Sequence, residues 1–97
     1  MWSEADLVRA HAHCNYNREA LANSARCGCF YCLAVYNPRE IAAWIDPPPG
    51  TPYIGGYAET GRTALCAHCG IDAVLAEAAG FPLTAAFLAA LHNRYFQ

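Results

Sequence analysis

The sequence predicts a small α+β domain that is mostly helical, and three observations support this fold class. Apolar residues recur at helical spacing near both ends of the chain. Glycine and proline are concentrated in the middle, where only short strands fit between turns. Two Cys-x-x-Cys pairs, at residues 29–32 and 66–69, lie on either side of that middle stretch. We expect residues 1–97 to form one domain, since compact domains usually span ~50 to ~250 residues.

The N-terminal segment, residues 1–26, is predicted to be helical. Ser3 can cap a first helix that runs to His13, because its hydroxyl can accept from an amide of the first turn and acidic residues follow it. Asparagines then interrupt the pattern. A second helical piece is expected over residues 18–25.

The middle of the chain is predicted to hold a short strand, a short helix and a long loop. Residues 33–36 fit the strand, and Asn37 followed by proline fits the start of a helix over residues 38–45. Three consecutive prolines then break regular structure. We therefore expect residues 47–61 to be a loop inserted into a metal-binding core that spans residues 27–80.

Helical periodicity returns after the second cysteine pair. Residues 71–78 place four apolar side chains on one helical face, and Gly80 followed by Phe-Pro ends that predicted helix. Thr84 can cap a last helix within the C-terminal segment, residues 81–97. The apolar stripe of that helix consists of Phe87, Leu88, Leu91 and Tyr95.

The two Cys-x-x-Cys pairs predict a metal site. Zinc prefers four ligands in a tetrahedron, and thiolates bind it at ~2.3 Å. One Cys-x-x-Cys turn places two sulfurs on one side of the ion, so a second turn must supply the other two. We expect one zinc ion per chain, bound by Cys29, Cys32, Cys66 and Cys69. Cys27 is an alternative ligand, because it could pair with Cys32 and leave Cys29 spare.

A second metal site at His11, His13 and Cys14 is a further alternative to their being ordinary helix residues. On a helix, His11 and Cys14 would face one side while His13 points away. The three side chains can therefore converge only if the helix ends there.

The order of elements around the cysteines resembles a treble-clef zinc finger. In that arrangement a first knuckle and an irregular β segment precede a helix that carries the second cysteine pair. The second pair of this chain runs directly into residues 70–75, whose amides would stabilise thiolates if they began a helix. We therefore expect a treble-clef-like core with flanking N- and C-terminal helices.

Short motifs extend along the chain from Arg18 onwards. They are Cys-Gly-Cys-Phe-Tyr-Cys at 27–32, Asn-Pro-Arg-Glu-Ile at 37–41, Trp-Ile-Asp at 44–46, Thr-Ala-Leu-Cys at 63–66, Cys-Gly-Ile-Asp at 69–72 and Phe-Pro-Leu-Thr at 81–84. Together they resemble a group of small bacterial cytoplasmic zinc-binding proteins without an assigned activity. The resemblance implies a zinc-binding fold and supplies no reaction. The chain departs from that group in the insertion, and at Ala67 and His68, where proline and an aromatic residue are usual.

Composition and charge exclude several function classes. The chain is 56% hydrophobic and 14% charged, with a formal net charge of −2, which argues against disorder. The chain has six arginines and no lysine, and these arginines do not form a basic run. Nucleic-acid binding is therefore not supported. The N-terminus lacks the apolar run of a signal peptide, and no stretch approaches the ~20 apolar residues of a membrane span. We expect a cytoplasmic protein with reduced thiols and no membrane partner.

The sequence favours a structural-zinc interaction or adaptor module over an enzyme, because four thiolates leave no open position for a substrate water. The expected partner is a protein, with a homodimer left open. Tyr53 and Tyr57 in the insertion would supply the contact surface. The alternatives are a thiol redox protein that uses Cys29 and Cys32, a zinc-dependent enzyme and a nucleic-acid-binding treble clef.

Overall fold

Three α-helices and five short strands make up the part of the chain that the structure describes. The structure is a computed structural model that describes residues 2–46, 50 and 61–96. The helices are α1 (Glu4–Ala12), α2 (Arg18–Ala22) and α3 (Ala85–Tyr95). The strands are β1 (Cys27–Cys29), β2 (Val35–Tyr36), β3 (Trp44–Ile45), β4 (Thr63–Ala64) and β5 (Val74–Ala76), and 3-10 turns occur at Pro38–Glu40 and Glu77–Ala79. None of the described helices is long and apolar enough to cross a membrane.

The centre of the fold is a three-stranded antiparallel sheet in the order β2-β1-β5. Cys27 pairs with Tyr36 on one side and with Ala76 on the other, and Cys29 pairs with Val74. Every residue of β1 and β5 is buried. A separate two-stranded sheet joins β3 to β4. The first cysteine pair therefore begins inside the core, at the end of the central strand.

Helix α3 packs on the central sheet, and α1 packs against α3. The cap predicted at Ser3 is present, and it forms a capping box with hydrogen bonds of 3.1 Å in both directions between Ser3 and Asp6. Trp2 packs edge-on against Phe87 of α3, with ring centroids 4.9 Å apart. A Cβ atom on Gly28 would lie 3.1 Å from Leu88 Cδ1, so glycine allows α3 to approach β1 closely.

A buried asparagine joins the two sheets. Asn17 is 3% exposed, and its Nδ2 donates to the carbonyl oxygen of Val74 at 2.9 Å. Its Oδ1 accepts from the amide of Ala64 at 3.0 Å. Because a buried amide group is costly unless its hydrogen bonds are made, these contacts hold β4 and β5 in one arrangement.

The prediction of a mostly helical fold with a treble-clef core is wrong. The described elements are an α+β mixture with two sheets, and no helix carries the second cysteine pair. Residues 71–78, predicted as that helix, form β5 and the 3-10 turn Glu77–Ala79. Residues 73–76 are all buried, and a short apolar run fits a buried strand as well as a helix. Pairing with β1 decides in favour of the strand.

The helix predicted over residues 38–45 is also wrong. Asn37 Oδ1 accepts from the amide of Arg39 at 2.9 Å, as expected for a cap, but the turn ends at Glu40. The chain then becomes extended, and Trp44 pairs with Ala64 in the two-stranded sheet. The cap at Asn37 therefore starts a turn, and the pairing of β3 with β4 favours an extended chain after it.

The helices predicted at the two ends of the chain are confirmed. The cap at Thr84 is present, since its hydroxyl oxygen accepts from the amide of Phe87 at 3.2 Å. Three residues of the predicted apolar stripe in α3 are fully buried, namely Phe87, Leu88 and Leu91.

Candidate metal centre

The inner knuckle, residues 29–33, follows directly from β1. The amide of Cys29 donates to the carbonyl of Ala34 at 2.9 Å, and the amide of Leu33 donates to the carbonyl of Cys29 at 2.8 Å. The amide of Tyr31 donates to Cys29 Sγ at 3.3 Å. Leu33 closes the turn with φ of 67°, a left-handed conformation that strains a residue with a side chain.

The outer knuckle, residues 66–70, repeats the same hydrogen bonds. The amide of Cys66 donates to the carbonyl of Ile71, and the amide of Gly70 donates to the carbonyl of Cys66, both at 2.9 Å. The amide of His68 donates to Cys66 Sγ at 3.3 Å. Gly70 has φ of 80° at the position that leucine holds in the inner knuckle. The two turns therefore share one backbone design.

The two knuckles face each other and bring four sulfur atoms together. The Sγ atoms of Cys29, Cys32, Cys66 and Cys69 all lie within 4.8 Å of one another. Cys29 Sγ is 3.6 Å from Cys69 Sγ, and Cys32 Sγ is 3.7 Å from Cys66 Sγ. Thiolates placed ~2.3 Å from a tetrahedral ion would be ~3.8 Å apart. The donor set and its spacing fit a tetrahedral metal ion, so the four cysteines are compatible with a metal site.

The cluster lies at the edge of the core. Cys29 is fully buried and Cys66 is 4% exposed, whereas Cys32 is exposed and Cys69 is half-buried. Burial raises the pKa of the Cys29 thiol. Burial also opposes ionisation of Cys66, but hydrogen bonds from the Tyr36 hydroxyl and from backbone amides of the outer knuckle lower its pKa to about 6. These hydrogen bonds therefore favour the thiolate form of Cys66.

Tyr36 supports the outer knuckle, a role that no motif in the sequence predicts. Its hydroxyl oxygen accepts from the amide of Ala67 at 3.1 Å and donates to the sulfur of Cys66. Burial raises the pKa of the Tyr36 hydroxyl, so this group keeps its proton for donation. A buried tyrosine usually needs a partner for its hydroxyl, which was the available signal, but the sequence does not say which partner.

Each knuckle also has a histidine beside it. His92 Nδ1 lies 3.2 Å from the carbonyl oxygen of Phe30 in the inner knuckle. His68 in the outer knuckle is exposed, and its Nε2 lies 3.2 Å from Glu40 Oε1. The inner contact reaches a backbone carbonyl, while the outer contact is a surface pair.

Cys27, the alternative ligand, lies outside the cluster. Its Sγ donates to the carbonyl of Tyr36 at 3.5 Å within the central sheet. Burial raises the pKa of the Cys27 thiol to about 12. This placement favours Cys29 over Cys27 as the partner of Cys32.

The histidines near the end of α1 do not form a metal cluster. Among the described residues, the four cysteines are the only group of three or more potential ligands that converges. His11 stacks on Tyr95 with ring centroids 3.8 Å apart, and His13 lies against Phe81. Cys14 is buried. The contact surface predicted at Tyr53 and Tyr57 lies outside the described residues.

Comparisons with known proteins add no family to this geometry. No protein-family model matches the chain, and neither a curated protein nor a solved structure matches it. The resemblance to small bacterial zinc-binding proteins therefore stays a prediction. The cysteine cluster and the surfaces around it are the features that bear on function.

Proposed function

We propose that the four-cysteine cluster binds one zinc ion as a structural crosslink and that the chain is a small protein-interaction module. The observation that carries the first part is the convergence of four thiols at tetrahedral spacing. A bound ion would join the two knuckles, and its binding energy would become folding energy, as in other small metal-stapled domains.

A structural role fits the donor set better than a catalytic one. Catalytic zinc sites usually have three protein ligands and an open position for water or substrate. Here four thiols are available, and residues on both sides of each pair hold the turns with matched hydrogen bonds. The ligand set thus favours a closed site.

The thiol redox alternative is weakened by the position of Cys29. A catalytic thiol must be accessible to its substrate, yet Cys29 is fully buried. Sulfur–sulfur distances of 3.6 Å and 3.7 Å also join Cys29 to Cys69 and Cys32 to Cys66, across the two knuckles. The geometry therefore does not single out Cys29 and Cys32 as an isolated redox pair.

The interaction role is supported by exposed apolar side chains on and beside the inner knuckle. Tyr31 and Phe96 are 43% and 40% exposed, and their rings meet edge-on at 4.9 Å. Leu33 and Val35, which follow Tyr31 along the chain, are also exposed. We call these four residues the knuckle face. Aromatic side chains are enriched where proteins contact each other, so a protein with an apolar surface is the proposed partner.

Native mass spectrometry of the reduced protein, purified without added metal, tests the metal assignment. One zinc per chain is the expected result. Metal-free folded protein would overturn the proposal. One iron per chain with visible colour would replace a structural role by electron transfer, because four thiolates in a tetrahedron also suit iron.

A double substitution tests the interaction role separately. Tyr31→Ser with Phe96→Ser should leave folding and zinc content unchanged, and it should abolish any complex or dimer that the native spectrum of the parent protein shows. The matched control is Val8→Ser, which removes an exposed apolar side chain from α1. A complex that survives the double substitution, or parent protein that stays a lone monomer at high concentration, would contradict this role of the knuckle face.

A further inference from the structure

A cleft of about 510 Å³ lies between α2, the 3-10 turn Pro38–Glu40 and β3. This volume falls within the ~300 to ~1,000 Å³ of typical small-molecule sites. None of the four clustered cysteines lines it. The cleft is lined chiefly by Arg18, Leu21, Ser24, Pro38, Arg39 and Trp44. We call it the arginine–tryptophan cleft.

The lining of the cleft is positively charged. Among the residues that the structure describes, two arginines contribute to it and no acidic residue does. Within the described part of the chain, the guanidinium of Arg39 has no hydrogen bond or ion pair, and this side chain is exposed. The neighbours Glu19 and Glu40 are outside the lining, and Glu40 pairs with His68 instead. The positive charge in the cleft is therefore available to a ligand.

Arg18 is held in position before any ligand arrives. Its guanidinium lies over the ring of Trp44, 4.8 Å from the centroid, and its Nη1 donates to the carbonyl of Gly61 at 2.9 Å. A guanidinium has five N–H donors, so donors remain for an anion. Because the side chain is already ordered, little conformational entropy is lost when it binds.

The rest of the lining is apolar or already satisfied. Leu21, Pro38 and Trp44 offer a surface for a hydrophobic or aromatic body. The hydroxyl of Ser24 donates to the carbonyl of Ala20 at 2.7 Å and accepts from the amide of Ala78 at 2.8 Å. The Ser24 hydroxyl is therefore already hydrogen-bonded as donor and as acceptor, which leaves the two arginines to bind a charged ligand group.

We propose that the arginine–tryptophan cleft binds a small organic anion. Arg18 and Arg39 would hold its carboxylate or phosphate group, since guanidinium forms paired hydrogen bonds with such oxyanions. Trp44 and Leu21 would pack against an apolar or aromatic body. The site is independent of the metal centre, so either assignment can fail without the other.

Tryptophan fluorescence provides a direct test. The chain has two tryptophans, so Trp2→Phe leaves Trp44 as the only tryptophan reporter. Trp2 packs against Phe87 of α3 and is not among the residues that line the cleft. The variant, as purified, is titrated with phenyl phosphate, benzoate and neutral benzyl alcohol. We expect a saturable change with at least one anion, weakened by added salt, and binding of benzyl alcohol at least tenfold weaker. Equal binding of the alcohol, or no saturable response to either anion, would overturn the proposal.

Substitution of Arg39 distinguishes the cleft from a general charge effect. Arg39→Ala should weaken anion binding at least tenfold while the melting temperature stays unchanged, since the side chain is exposed. The control is Arg9→Ala, which removes the same charge from α1, where Arg9 pairs with Asp6. Equal losses for the two variants would mean that net charge, and not the cleft, attracts the anion. The same titration followed by amide chemical shifts confirms the location, which should include residues 18–24 and 38–44.

Discussion

The two knuckles share a backbone design but not an environment. In the inner knuckle, Cys29 and Phe30 are buried to 1% exposure or less, and the amide of Phe30 donates to the carbonyl of Ala73 in the core. In the outer knuckle, Ala67 and His68 are exposed. Local spacing thus sets the turn in both cases, while only the inner knuckle buries the residue that follows its first cysteine. We expect the outer knuckle to depend on the metal and on Tyr36 more than the inner knuckle does.

The largest difference should appear when one ligand is removed from each knuckle. Cys29→Ser removes a metal ligand and leaves a hydroxyl in the core, so we expect a loss of at least about 3 kcal/mol of unfolding free energy together with the zinc. Cys69→Ser also removes a ligand, but the new hydroxyl reaches solvent, so its loss of unfolding free energy should be smaller. Urea unfolding and zinc analysis of both variants measure this order.

Cys27→Ser is the matched control for the ligand substitutions, because Cys27 shares β1 with Cys29. The new serine hydroxyl can still donate to the carbonyl of Tyr36. Because Cys27 is not one of the four proposed ligands, zinc content should remain at one per chain. Loss of zinc from Cys27→Ser with retention in Cys29→Ser would show that the ligand assignment is wrong.

Tyr36→Phe should weaken the outer knuckle alone. It removes the hydroxyl that bonds the amide of Ala67 and the sulfur of Cys66, at a cost of about 1–2 kcal/mol for the two lost hydrogen bonds. Because that hydroxyl lowers the pKa of Cys66, its loss raises this pKa, and protons compete with the metal at higher pH. An acid titration with a zinc indicator should show release shifted upward in pH.

The control for this titration is Tyr31→Phe, since Tyr31 is exposed on the inner knuckle. Its release profile should match that of the parent protein. A Tyr36→Phe profile that also matches the parent would mean that the tyrosine hydroxyl does not assist the cluster.

Exchanging the residues that end the two turns should change stability in opposite directions. Leu33→Gly should stabilise the protein by up to about 1 kcal/mol, because the left-handed conformation costs a leucine about 1–2 kcal/mol. Glycine loses more backbone entropy on folding than leucine does, and this loss offsets part of the gain. Gly70→Ala should destabilise it by about 1 kcal/mol for the same reason. Thermal unfolding of the zinc-loaded proteins gives both signs, and two changes of the same sign would refute the equivalence of the turns.

The smallest effects should come from the histidines. His92→Ala removes a partly buried contact to the carbonyl of Phe30 and should cost about 1 kcal/mol. His68→Ala breaks an exposed pair with Glu40 and should cost less, with a dependence on salt concentration. Chemical denaturation at low and high salt compares them. A larger loss for His68→Ala would reverse the ranking of the knuckles.

The parts of the fold that the sequence predicts correctly are those with local causes. Ser3 and Thr84 have the side chains that cap helices, and both do so. The spacing within each cysteine pair predicts a tight turn, and the four sulfurs converge as the pairs require. The residues that form each helix cap are close along the chain. The two cysteine pairs are distant from each other, but thiols favour the same metal ligation, which predicts that they meet.

The predictions that are wrong involve contacts between distant residues. Val74 and Leu75 match helical spacing, but β1 supplies hydrogen bonds that only an extended chain can make. Trp44 belongs to a strand because Ala64 pairs with it. The sequence explains Asn17 only as a break between two helical segments, whereas its amide joins two sheets. No local pattern contains these partners, so the sequence alone could not specify them.

The closed base of the insertion has a practical consequence for engineering. The amide of Gly61 donates to Asp46 Oδ1 at 2.6 Å, and Ile45 pairs with Thr63 immediately beyond. The chain therefore leaves the core and returns to it at one point. Loop-closure entropy adds only ~0.6 kcal/mol for each doubling of loop length. Residues 47–60 thus mark a place where a reporter peptide or a whole foreign domain can be grafted while β3 and β4 stay paired.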